Sequence, residues 1–326
     1  MALVSGTYTR YPAQGLREQL SDVIYNISPV QFPFMSGAGV GERAKQTLVE
    51  WQTEDLAAVD TANKHLEGDD AAFTTPAATV RVGNYTQISR KTLVLSDTLE
   101  VIDKAGRRSE LAHQMAKRGK EIKRDQEAIL LENAGGDAGG VGTARALASM
   151  GAWLKTNTSF GATGADPTYT SGVPSAPRTD ATSGDQRAFT ETLLKNVIQS
   201  MFDNGGEASV LMVGAFNKRV VSGFSGIAVR NFDLSNVSPR ATAVIGAVDV
   251  YVSDFATVRV IPNRFQRPRD AWLLDWDLVS VRYLRPHYVD KLGKSGDAEK
   301  RLLRAEYTLQ VKQEAGLGLV ADLTTA

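Results

Sequence analysis

The chain contains no cysteine. Disulfides, thiolate nucleophiles and cysteine-based zinc sites are therefore excluded. Histidine is almost as scarce, with three in 326 residues. His65, His113 and His287 stand far apart, none in an HExxH pattern, which argues against metal ligation. Net charge is missing too, because 37 basic side chains balance 37 acidic ones. A surface specialised for gripping nucleic acid or an acidic membrane is not the expectation. No stretch reaches the roughly eighteen apolar residues of a membrane-spanning helix. The opening MALVSGTYTRYPAQGL has no basic start leading into an apolar run, so no secretory signal is expected there. These absences point to a protein made in a cytosol, or built into something assembled there.

Catalytic patterns are lacking as well. LGKS at Leu292 to Ser295 resembles the end of a phosphate loop, but the position that needs the earlier glycine is Tyr288. GGVGTAR lacks the third glycine of a dinucleotide fingerprint, and no strand precedes it. GFSG at Gly223 to Gly226 has the wrong spacing for a nucleophile elbow. Asp275 and Asp277 alternate and read as turn or edge charges rather than as an acid pair. No catalytic, cofactor-binding or metal-binding residue is expected.

A chain of this length buries roughly three quarters of its unfolded surface, and length alone suggests about two domains. Its most distinctive stretch is Gly106 to Ala134, GRRSELAHQMAKRGKEIKRDQEAILLENA. This reads as one helix, roughly 42 Å long at 1.5 Å per residue. Leu111, Met115, Ile122 and Ile129 form a thin apolar stripe. Lys117 with Glu121, Lys123 with Glu127 and Glu121 with Arg124 are candidate ion pairs along it. Such a rod is a solvated surface helix, a short coiled-coil arm, or a spine on which subunits stack.

The first forty residues are irregular, with a short helical candidate at Leu16 to Ile27. SPVQFPFMSGAGVG follows, too broken by Pro29 and Pro33 to build its own core. Phe32, Phe34 and Met35 there strap the chain's own core or pack on another subunit. Lys45 to Thr53 alternates as a strand around Trp51, and Ala78 to Leu95 is a second extended stretch. The acidic connection between them, about two dozen residues without periodicity, is unusual inside a compact domain. Together they suggest a hairpin that leaves the subunit body and needs a neighbour to lie on.

After Ala134 the composition shifts to Gly, Ser, Thr, Ala and Pro. Thr158 to Asp185 is expected to be loop or insertion rather than core. Thr190 to Phe202 is an amphipathic helix stopped by Gly205 and Gly206. Ser209 to Val213 is a buried strand followed by a helix from Ala215 to Gly223, which suggests a small α/β unit. Thr242 to Tyr251, Thr257 to Ile261, Trp272 to Leu274, Leu278 to Leu284 and Leu302 to Lys312 read as strands. The turn between Pro262 and Asp270 carries Arg264, Arg267 and Arg269. These three meet phosphates or, more in keeping with a neutral chain, sit in a solvated turn or an ion pair between subunits.

Several strings then carry a resemblance: SPVQFPFM (Ser28 to Met35), VEWQTEDLA (Val49 to Ala57), EGDDA (Glu67 to Ala71), YTQISRKT (Tyr85 to Thr92), SDFATVRVIPNR (Ser253 to Arg264) and GDAEKRLLRAEYTL (Gly296 to Leu309). In this order the chain resembles the major capsid proteins of tailed double-stranded DNA bacteriophages, the Hong Kong 97-type fold. The strings sharpen the resemblance to the sub-family like the major head protein of phages such as SU-ten. The resemblance implies an α+β chain with an N-terminal arm (1–44), an extended hairpin loop (45–95) and a peripheral domain with the spine helix and Gly/Ser-rich insertion (96–189). An axial α/β domain (190–270) and return strands (271–326) would follow. It implies hexamers and pentamers assembling into an icosahedral head around the genome, with weak contact to packaged DNA. A separate scaffolding protein, a portal and decoration proteins would be further partners. A nanocompartment shell of the same fold and a soluble α/β enzyme are the other readings. Lys117, Lys120, Arg124 and Glu127 are expected to face a neighbour's acidic loop, at Glu67, Asp69 and Asp70. Trp51, Phe32 and Phe34 complete the expected interface.

Overall fold

A computed structural model describes residues 31–68, 70, 73, 75–224, 250–294 and 296–325. The helix expected at Leu16 to Ile27 and most of the strand expected at Thr242 to Tyr251 lie outside them. The described chain opens with α1 (Pro33–Ala38), β1 (Leu48–Thr53), β2 (Val80–Tyr85) and β3 (Gln87–Ser96). Two helices follow, α2 (Asp97–Val101) and α3 (Glu110–Leu130), then α4 (Met150–Trp153) and the short strands β4 (Thr158–Ser159), β5 (Thr168–Thr170) and β6 (Val173–Ala176). Next come α5 (Glu191–Asp203), β7 (Val210–Val213) and α6 (Ala215–Val221). The chain closes with β8 (Val250–Val252), β9 (Thr257–Pro262), β10 (Ala271–Leu274), β11 (Val279–Leu292), β12 (Ala298–Val311) and β13 (Gly318–Val320).

A six-stranded mixed sheet in the order β4-β13-β10-β7-β9-β8 forms the main body. β7 and β10 are buried at every position. Alternate residues serve two different cores. Val210 and Met212 join Trp272, Leu274 and Leu319 on one side. Leu211 and Val213 join Leu273, Val320 and the α5 residues Leu194, Val197, Ile198 and Met201 on the other. A strand covered on both faces has no polar side, so its sequence is a continuous apolar run.

The second sheet is three-stranded, β11-β12-β3, and its two long strands are 14 residues each. Sequence pattern underestimates both, ending one near Leu284 and starting the other at Leu302. Pro286 explains the first error: it removes a backbone donor, and the pairing absorbs it through register shifts between Tyr283 and Tyr288. Polar side chains on both faces explain the second. β12 joins the two layers, because Tyr307, Leu309 and Val311 at its far end are buried in the core that also holds Trp272 and Trp153.

α3 lies across β3 and β12. It is 21 residues long, about 32 Å, and starts after Ser109 rather than at Gly106. The Ser109 hydroxyl accepts from the Ala112 N–H at 3.1 Å. The Glu100 carboxylate accepts from the N–H groups of Glu110 and Leu111, both at 3.0 Å. A hydroxyl cap and a negative charge at the first turn suit the orphan donors and the helix dipole. The expected apolar stripe is only partly the buried face. Ile122 and Leu130 are buried, but so are Gln126 and Glu127.

The Gly/Ser-rich segment also departs from expectation. Leu147, Met150, Trp153 and Leu154 belong to the core, β4 joins the main sheet, and Val173, Arg178 and Ala181 are buried. Small residues there let backbone approach backbone. At Gly172, with φ of +80°, a Cβ would lie 2.1 Å from the Arg81 carbonyl oxygen, so only glycine fits.

Candidate assembly surface

β1 and β2 pair from Leu48 opposite Tyr85 to Thr53 opposite Val80, which forms the expected hairpin. Its root is locked to the body by buried polar groups. The Asn84 amide donates to the carbonyls of Ala148 at 2.9 Å and Leu309 at 2.8 Å, and its oxygen accepts from the Ala148 N–H at 2.8 Å. Two residues on, the Thr86 hydroxyl donates to the Glu306 carboxylate at 2.8 Å. Arg145 donates to the Thr86 carbonyl at 2.6 Å and pairs with Glu306. Arg285 reaches the other Glu306 oxygen at 2.7 Å. Burial pushes the Glu306 carboxyl up, but the Thr86 hydroxyl and the two guanidinium groups outweigh it and hold it below its ordinary value.

The far end is the opposite. Leu56, Val59, Leu66 and Phe73 in the connection are 98%, 92%, 81% and 95% exposed. Its polar contacts are local or peripheral: Asp60 accepts from the Ala62 N–H, and Asp55 accepts from the Gln313 amide at 2.8 Å. Sequence reasoning took this stretch as polar and missed these four apolar side chains, whose signal is that they follow no period.

The expected interface residues divide. Glu67 and Asp70 are exposed in the connection, and Asp69 lies outside the described residues. Lys117 and Lys120 are exposed on α3, and Arg124 sits over the Phe265 ring at 5.6 Å. Glu127, three positions past Arg124 on the same side of the helix, is not exposed with them. It is buried, and its carboxylate accepts from the N–H groups of Phe34 at 2.8 Å and Met35 at 2.9 Å and from the Asn263 amide at 2.7 Å. Burial pushes its carboxyl up, opposed by those donors. The expected Lys123 and Glu127 pair is thereby corrected, and Glu121 pairs instead with Arg118 at 2.6 Å.

Phe34 is corrected in the same way. Proline starts α1, and the helix turns Phe34 into the core, edge-on to Trp276 at 6.0 Å. Phe32 stacks on Phe265 at 6.2 Å, and Trp51 stacks on Trp153 at 5.4 Å. Both are half-buried against their own chain, and for Phe32 this is the strap reading.

Two arginines of the basic turn are also internal. Arg267 pairs with Asp180, and Arg269 lies 3.1 Å from Asp322. Buried Arg178 holds buried Asp270 at 2.6 Å. The Asp180 and Asp270 pairs tie the Gly/Ser-rich segment to the turn, so Arg267 and Arg269 spend their charge within the chain rather than in a solvated turn. Arg264 alone stays exposed. His287 is paired with Gln126 at 2.9 Å.

A locked root that carries unsatisfied apolar side chains outward is a subunit made to be completed by another. The model of the SU10 major capsid protein family matches residues 4–324. The chain belongs to the SU10 major capsid protein family. It is a major capsid protein of a phage virion. A curated relative, the major capsid protein of Escherichia phage Phieco32, is 28% identical and is matched over 96% of each chain. Among solved structures, the cyanophage A-1(L) capsid asymmetric unit aligns with a TM-score of 0.66 at 14% identity, over 95% of this chain and 97% of that one. The SrpI encapsulin of Synechococcus elongatus PCC 7942 aligns with a TM-score of 0.56 at 9% identity, over 96% of this chain and 97% of that one. The mixed α+β fold of the capsid protein is thus shared with the cyanophage capsid subunit and, at a lower TM-score, with the SrpI encapsulin.

Proposed function

We propose that this capsid protein has the Hong Kong 97-type organisation and assembles as hexamers and pentamers into an icosahedral head around double-stranded DNA. The N-terminal arm comprises residues 1–44, and residues 45–95 are the extended loop that lies over the adjacent subunit. Residues 96–189 form the peripheral domain, 190–270 much of the axial domain, and 271–326 the strands that return through both. The exposure of Leu56, Val59, Leu66 and Phe73 carries this reading. Four large apolar side chains held in water at the end of an anchored hairpin favour burial against another copy. Trp51, Phe32, Glu67, Asp69 and Asp70 border that contact. Lys117, Lys120 and Arg124 face the acidic loop of a neighbouring copy, where Glu67 and Asp70 are their partners. The shell works through many modest contacts rather than catalysis. A scaffolding protein, a portal and decoration proteins are its further partners.

Deleting Asp55 to Thr75 tests the reading. The expected product is a soluble, folded subunit that closes no shells in negative-stain images. Normal particles from the deletion would refute the loop's role.

A further inference from the structure

A groove of about 390 Å³ opens beside α1. Phe32 and Met35 of the arm and Val281 and Tyr283 of β11 line it, with Val40 at its lip and Lys123 of α3 on its rim. That volume lies at the small end of ligand pockets, which start at about 300 Å³, and is ample for one or two side chains. Val40 is 75% exposed, so the described chain leaves an apolar lip in water. His287, which also lines the groove, is already bonded to Gln126 at 2.9 Å. Lys123 is exposed and has no ion-pair partner among the described residues. The groove therefore suits an apolar side chain that brings a carboxylate with it.

The connection between β1 and β2 offers four apolar side chains, and the acids adjacent to them decide among the four. Leu56 follows Asp55, which accepts from the Gln313 amide. Val59 precedes Asp60, which accepts from the Ala62 N–H. Phe73 has alanine and threonine on either side. Leu66, 81% exposed, precedes Glu67, which is exposed and has no hydrogen-bond or ion-pair partner among the described residues. Among the described residues, Leu66 with Glu67 is thus the apolar and acidic pair whose charge is not already spent.

The groove also sits where a loop drawn to the α3 cations would pass. Phe32 in its wall stacks on Phe265, and Arg124 rests over the same ring. Lys123 is three positions past Lys120, close enough for one carboxylate to serve both. We infer that Leu66 of a second copy seats in this groove, with its Glu67 between Lys120 and Lys123. This rests on the reading of residues 45–95 as a loop laid over an adjacent subunit. Burial of the leucine supplies most of the contact, and the exposed ion pair mainly sets its register.

The chain has no cysteine, so an engineered pair can be bridged without background. Full-length protein carrying Leu66→Cys with Val40→Cys, treated with a short bismaleimide, should run as a ladder of joined chains on a denaturing gel. Either substitution alone should give no more than dimers. A double variant without a ladder overturns the inference, as does a bridge closed within one chain. A ladder that appears only after deletion of residues 1–30 would assign the groove to the chain's own first residues and also overturn it. Leu66→Ala should keep the melting temperature and raise the protein concentration at which particles form by roughly tenfold, whereas Leu66→Met should barely move it. Lys123→Gln and Glu67→Gln should each raise it about two- to fivefold, and together by no more than either alone. Effects that multiply would dissolve the pair. Particles are scored separately by negative stain. A wild type that forms none counts against the shell reading, while the bridge, read on concentrated subunits, still scores the groove.

Discussion

The two ends of the β1–β2 hairpin are built on opposite principles. At the root, polar groups are buried and satisfied within the chain: Asn84 bridges two segments, and Glu306 gathers Thr86, Arg145 and Arg285. At the tip, apolar groups are exposed and unsatisfied. Burying a polar group is favourable only with its partners present, and exposing an apolar one is unfavourable until a partner arrives. The root therefore belongs to folding of the subunit and the tip to its assembly.

Substitutions at the two ends should then separate stability from assembly. The largest effect is expected from Glu306→Gln, which leaves Arg145 and Arg285 without their charge partner at a buried site. Breaking a buried pair costs about 3–5 kcal/mol, and the low end applies because Arg285 is half-exposed. Urea denaturation at neutral pH would measure it. The same residue sets a pH dependence. Its carboxyl lies below the ordinary 4.5 in the folded chain. Its contribution is therefore present above that value and is lost as pH falls through the lower folded value. The wild type should lose urea resistance on acidification below pH 4.5 more steeply than the variant; parallel curves would remove Glu306 from the root's account.

Asn84→Ala should cost somewhat less, about 2–3 kcal/mol, because it strands neutral backbone groups of Ala148 and Leu309 rather than charges. A thermal melt would show it, and an unchanged midpoint would place the lock elsewhere. The smallest effect on the subunit is expected at the tip. Leu56→Ser with Phe73→Ser should change stability by no more than about 0.5 kcal/mol, yet sedimentation should show subunits that fail to form particles. A destabilised subunit with intact assembly would reverse the comparison.

Much of this fold was legible from local pattern. The apolar period of α5 and its glycine stop, the unbroken run of β7 and the alternation around Trp51 each reflect chemistry within a few residues. The assembly site was half legible. The long connection stood out by its length and lack of period, whereas its four apolar side chains were hidden among acids and alanines. Arg267 and Arg269 looked like a free basic turn because Asp180 and Asp322 are distant in sequence.

Local residues by themselves determined that a long charged helix, a hairpin arm and an α/β unit would exist. Tertiary structure alone decided which charges are used up inside. Glu127 sits in a helix crowded with charged neighbours, and nothing near it in sequence marks it as buried. It turns inward because the donors of Phe34 and Met35 arrive from 93 and 92 residues away. A carboxylate goes where desolvation is offset by donors, and those donors are placed by packing rather than by sequence neighbours. The same packing leaves Lys117 and Lys120, whose sequence surroundings are equally charged, exposed on the outer side of the helix.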